Sequence, residues 1–212
     1  MESFAYLVGM AGTVAFAVTA VLALAPMRID LFGACVLGVI TAIGGGTVRD
    51  LILDVPVFWA GDLTYIWVAL GASILVFFGQ SLFSRKLVSG AMLYTDGLGA
   101  ALFGIEATDK VWQLGFGLPL APVLLGVVTA IGGGLIRDLL AGRQTLLMKR
   151  ELYAVPVLIG CVLYTGVLHF AHDHRFSGAI ACVLVVFLIR SAAIRYNLSV
   201  PDWLTTGTRD DH

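Results

Sequence analysis

Two segments of this 212-residue chain place an Arg-Asp pair inside an apolar run. Arg49-Asp50 and Arg137-Asp138 each follow a glycine triplet, Gly44-Gly45-Gly46 and Gly132-Gly133-Gly134. Residues four apart on a helix share a face. Thr41, Gly45 and Arg49 therefore form one stripe, and Thr129, Gly133 and Arg137 form another. Each stripe turns a hydroxyl, a bare backbone and a cation in one direction, which suits a narrow polar passage. Each glycine inside a helix costs about 1 kcal/mol relative to alanine. The triplets thus predict breaks in both helices, where freed carbonyl oxygens replace the hydration shell of an ion. The competing use of the same glycines is close helix packing through small residues.

Buried arginines need counter-charges or carbonyls, because ionisable groups deep in an apolar medium are expensive. Asp50, Asp138 and Asp96 are the candidates. Asp96 lies in an apolar run beside Gly97 and Gly99. The competing reading puts the Arg-Asp pairs at helix ends, where long side chains reach the interface. Other chemistry finds little support. Cys35, Cys161 and Cys182 are isolated, and His169, His172 and His174 with Asp173 read as a solvated turn rather than a metal site. The triplets lack the Lys-Ser/Thr ending of a phosphate-binding loop, and no Gly-x-Ser-x-Gly or His-Glu-x-x-His occurs. We expect no catalytic residues, no metal and no cofactor, and therefore not an enzyme. No basic stripe suggests nucleic acid.

The elements that position these residues must be membrane helices. Apolar residues make up 59% of the chain and charged residues 13%, with a mean hydropathy of +0.95. A soluble domain carries about a quarter charged residues, so the expected surroundings are a lipid bilayer. Seven apolar runs are long enough to cross it, at 4–25, 31–53, 63–83, 87–105, 116–140, 152–171 and 176–194. A span needs about 20 such residues. The connections include Pro26-Met27-Arg28, Ser84-Arg85-Lys86, Ala107-Thr108-Asp109-Lys110 and His172-Asp173-His174-Arg175. Basic residues collect on one side, with Arg28, Arg85, Lys86, Arg143, Lys149, Arg150, Arg195 and Arg209 against Lys110 and Arg175. The excess marks the cytoplasmic side, so the N-terminus is expected outside and the C-terminus in the cytoplasm.

The segment 37–51 recurs at 125–139 with 12 of 15 positions identical and an offset of 88 residues. The same offset pairs Tyr6 with Tyr94, Gly9 with Gly97 and Tyr65 with Tyr153, whereas Asp96 meets Val8. A three-helix unit crosses the membrane an odd number of times, so its second copy enters from the opposite side. The expected fold is an all-α integral membrane protein of seven transmembrane helices: an inverted three-plus-three repeat, a seventh helix, and second and fifth helices broken at the glycines. Its single domain covers 1–196, with repeat one at about 4–83, repeat two at about 87–171 and the seventh helix at about 176–195. Residues 197–212 form a cytoplasmic tail.

The duplicated Gly-Gly-Gly-x-x-Arg-Asp, at 44–50 and 132–138, resembles the prokaryotic branch of the trimeric intracellular cation (TRIC) channel family. The resemblance extends over nearly the whole chain. It implies a homotrimer in the prokaryotic inner membrane, with one ion pathway per subunit. It further implies permeation by monovalent cations, chiefly potassium with sodium also admitted, past second and fifth helices kinked at Gly44 to Gly46 and Gly132 to Gly134. The Lys-Glu-Val motif that animal members use for phosphoinositide binding is missing here, so that regulation is not implied. Related sequences also carry the label of glycine transporters. A secondary transporter of a small amino acid such as glycine is accordingly the second reading.

Overall fold

The computed structural model describes residues 2–82, 85–148 and 152–199, and the chain there is all-helical. Seven helices of sixteen residues or more follow in order: α1 (Glu2–Leu24), α2 (Leu31–Ile52), α3 (Thr64–Gly79), α4 (Arg85–Gln113), α5 (Leu120–Leu140), α6 (Ala154–Phe170) and α7 (Arg175–Arg195). A four-residue turn, Phe58–Gly61, precedes α3. Local chemistry sets the starts. Asp30 caps α2 by accepting from Gly33 N at 2.7 Å, the favoured use of an aspartate there. Pro122 and Pro156 fall in the first turns of α5 and α6, where a missing N–H leaves no helical bond unmade. Of the expected tail, residues 200–212 lie outside the described residues, as do Lys149, Arg150 and Arg209 from the orientation argument.

Among the described residues, five helices are long and apolar enough to cross a bilayer. Helices α3 and α6 are apolar but shorter, at 16 and 17 residues. At 1.5 Å per residue they reach about 25 Å, a little less than the hydrocarbon core. Two expectations are corrected. Ala107 to Lys110 is not a connection, because α4 continues to Gln113. Its charges find partners, so hydropathy alone ended the run too early. The second correction concerns the triplets. Helices α2 and α5 run unbroken through Gly44 to Gly46 and Gly132 to Gly134, because each triplet lies where one helix crosses the other.

At that crossing a methyl group on Gly45 would fall onto the Thr129 carbonyl oxygen, and one on Gly133 onto the Thr41 carbonyl oxygen. Residue numbers rise along one helix as they fall along the other, so α2 and α5 run in opposite senses. The pair α1 and α4 repeats the pattern. Phe16 rests on Gly99 and Phe103 on Gly12, and the two rings stack at 5.5 Å. In these two pairs, helices one repeat apart lie antiparallel, with Phe16, Ala42, Ala101, Phe103 and Ala130 in the shared core.

Helix α7 is fastened to α4 and α6. Gly160 receives Val186 and Gly178 receives Val167. Arg175 pairs through two nitrogens with Asp109, whose carboxylate also accepts from the Tyr164 hydroxyl at 2.7 Å. Asp109→Asn is expected to lower stability by about 1–2 kcal/mol, since a charge-assisted, partly buried pair loses its charge. Thermal unfolding of the solubilised protein reads this directly, and an unchanged midpoint would show the clasp to be dispensable.

Candidate buried charge clusters

Each Arg-Asp pair makes the same local structure. Arg49 Nε donates to Asp50 Oδ1 at 2.8 Å, and Arg137 Nε to Asp138 Oδ1 at 2.9 Å. The second aspartate oxygen accepts a backbone N–H eight residues on, from Phe58 at 2.9 Å and from Leu146 at 3.2 Å. These two donors are themselves 88 residues apart. The pairs therefore fold the chain after α2 and α5 back under its own helix. Neither arginine reaches the surface: Arg49 is 2% exposed and Arg137 0%.

Beyond this shared unit the halves diverge. Arg49 reaches Glu106 Oε2 at 2.7 Å, and Lys110 Nζ bonds Asp50 Oδ1 at 2.8 Å. Glu106 and Lys110 are partly open, with side chains 20% and 28% exposed. The second cluster is sealed. Arg137 bonds Asp96 Oδ1 at 2.8 Å and the Thr19 hydroxyl at 3.3 Å. Asp96 Oδ2, an Arg137 terminal nitrogen and the Tyr153 hydroxyl have no hydrogen-bond partner among the described residues. Each arginine lies four residues past the crossing glycine of its own helix, and the helices run oppositely. The clusters consequently flank the crossing, about 12 Å apart along the helix axes.

The structure joins Arg49 to Asp50, and Arg137 to both Asp138 and Asp96. Thr41 and Thr129 do not present free hydroxyls: each donates to the carbonyl of its own preceding turn, Leu37 and Leu125, at 2.6 Å. Glu106, Thr19, Phe58 and Tyr153 escaped the sequence reading. Glu106 and Lys110 carried a signal, since a Glu-x-x-x-Lys spacing puts both charges on one helical face. Thr19 and Tyr153 carried none, because only the packing of distant helices brings them to Arg137.

A family model described as glycine transporter matches residues 6–81 and 93–169, one match in each half. The UPF0126 inner membrane protein YadS of Escherichia coli strain K12 is 38% identical over 92% of this chain and 94% of its own length. A UPF0126 membrane protein of Vibrio cholerae is 36% identical over 96% of this chain and 84% of its own. Among solved structures, the trimeric intracellular cation channel orthologue from Rhodobacter sphaeroides superposes with a TM-score of 0.86 at 31% identity, covering 92% of this chain and all of that one. A prokaryotic TRIC channel crystallised in 0.5 M KCl gives 0.86 at 26% identity, over 94% of this chain.

Proposed function

The chain belongs to the family of prokaryotic TRIC and UPF0126 inner-membrane proteins covered by the glycine-transporter model, and on that premise we propose that it is a monovalent cation channel, chiefly for potassium and also admitting sodium. The carrying observation is the pair of buried arginine–carboxylate clusters on either side of the α2–α5 crossing. Such groups are rare inside a membrane protein, pair with one another and mark ion or substrate pathways. In this reading Arg49, Asp50, Arg137, Asp138 and Asp96 supply the polar groups along the path. Gly44, Gly45, Gly46, Gly132, Gly133 and Gly134, with Thr41 and Thr129, set how closely α2 and α5 approach and hence its width. All seven helices cross the bilayer as an inverted repeat plus α7, with the N-terminus outside, the C-terminal tail in the cytoplasm and repeats at about 4–83 and 87–171. Three subunits assemble, each with its own path, in keeping with the trimeric description of the Rhodobacter protein.

Planar-bilayer recordings of the purified protein are expected to show unitary potassium currents that persist, at altered size, when sodium replaces potassium. Saturable, coupled uptake without such currents would overturn the reading. The family model's description favours a second one, transport of glycine. That mechanism needs half-helix ends whose free amides meet a carboxylate, whereas α2 and α5 keep their helical bonds through both triplets. Radiolabelled glycine counterflow in proteoliposomes separates the two, and the expected result is no exchange above protein-free vesicles.

A further inference from the structure

The last glycine of each triplet seats an aromatic side chain gripped by an arginine, and the two halves build this from non-equivalent residues. A methyl on Gly46 would lie 2.6 Å from the Phe58 ring, and Arg49 Cζ stands 5.9 Å from that ring's centroid. A methyl on Gly134 would lie 2.8 Å from the Tyr153 hydroxyl, with Asp96 Oδ1 at 3.4 Å and an Arg137 nitrogen at 3.6 Å. The grip on Tyr153 comes from α7, where Arg190 Cζ lies 5.1 Å from the ring centroid. The repeat offset pairs Phe58 with Leu146 and Tyr153 with Tyr65. Duplication alone therefore did not produce the match.

Arg190 is only 2% exposed, inside an apolar helix, where a cation is retained at a cost. Its stem fills the notch at Gly97, next to Asp96, and its NH1 donates to the Leu152 carbonyl at 3.1 Å, fixing the chain just before Tyr153. The ring–cation contact and this carbonyl bond hold Tyr153 in register with α7. Resting on the channel reading above, we propose that Arg190 is a positioning residue: through the Tyr153 ring it keeps the hydroxyl lodged beside the Arg137–Asp96 pair, and so sets how often this half of the pathway opens.

The test combines single-channel recording with 19F NMR of the protein carrying 3-fluorotyrosine at position 153. Arg190→Gln keeps the stem and a donor for Leu152 but removes the cation. It is expected to elute as the same oligomer with unchanged unitary conductance, a several-fold higher open probability, and a Tyr153 fluorine line displaced toward that of a mobile ring. Arg190→Lys should fall between Arg190→Gln and wild type in both readings. Tyr153→Phe should raise open probability as well, and the double change should raise it no further. A folded Arg190→Gln protein with wild-type open probability and an unmoved fluorine line overturns the proposal. So does additivity in the double change. If Arg190→Gln does not assemble, Arg190→Lys decides by the same two readings. A wild-type protein that passes no current would sink the channel reading, and the fluorine line would still decide whether Arg190 holds the ring.

Discussion

Gly45→Ala and Gly133→Ala are each expected to lower stability by about 2 kcal/mol, although helix propensity alone predicts a gain. Alanine favours a helix by about 1 kcal/mol over glycine. Against this, the new methyl falls onto a backbone carbonyl of the facing helix, Thr129 for Gly45 and Thr41 for Gly133. A backbone atom cannot rotate away as a side chain does, so α2 and α5 must separate. Overpacking of this kind costs about 1–3 kcal/mol, with backbone clashes at the upper end. The two sites lie at one crossing, and opening it for the first methyl relieves part of the second clash. The double change should consequently cost less than the sum of the single ones. Gly44→Ala should be milder, since its methyl meets the flexible end of Ile136 at 2.8 Å. Gly90→Ala and Gly166→Ala meet nothing within 4 Å and should be neutral or stabilising. Thermal unfolding of the solubilised oligomer ranks all five. Equal midpoints for Gly45→Ala and Gly90→Ala would mean that the crossing is not as close as described.

The glycine triplets mark the boundary of what the sequence makes legible. Their position, duplication and association with Arg-Asp were all readable, because a repeat is a property of the string. What the glycines do was not readable. A bare backbone serves equally to open a helix or to admit a neighbour, and only the placement of α5 against α2 decides between them. The same limit explains the charges. Asp96 stood out because a carboxylate interrupts an apolar run, and it does bond Arg137. Glu106 was overlooked because hydropathy assigned it to the edge of a span, while α4 carries it one further turn toward Arg49. Arg190 was visible only as a charge within an apolar run. Its contact with Tyr153 joins α7 to the chain just before α6, and no spacing rule connects them.

Arg137→Met is expected to be the more damaging of the two arginine replacements, by about 2–3 kcal/mol over Arg49→Met. Both remove a buried cation, so the difference lies in what is left behind. Without Arg137, Asp96 loses its ion pair at a site that is 0% exposed, and among the described residues Asp138 keeps the Leu146 N–H alone. Removing one partner of a buried pair costs about 3–5 kcal/mol, because the other charge stays uncompensated. Without Arg49, Asp50 still has Lys110 and the Phe58 N–H, and Glu106 is already open in part to its surroundings. The cost there should be nearer about 1–2 kcal/mol, the low end for buried polar groups that lose one partner and keep others. Adding Asp96→Leu to Arg137→Met removes the stranded charge and should recover a large part of the loss, since apolar replacement of a whole buried pair is often neutral. A double-mutant cycle on thermal stability measures that recovery, and additive losses would show that the two residues do not act as a pair. The rescued protein also separates fold from function. If it assembles normally and still passes wild-type unitary currents, the sealed cluster holds the helices together and lies off the ion pathway. If it assembles and the current is lost or its selectivity changes, the Arg137–Asp96 pair faces the permeating ion.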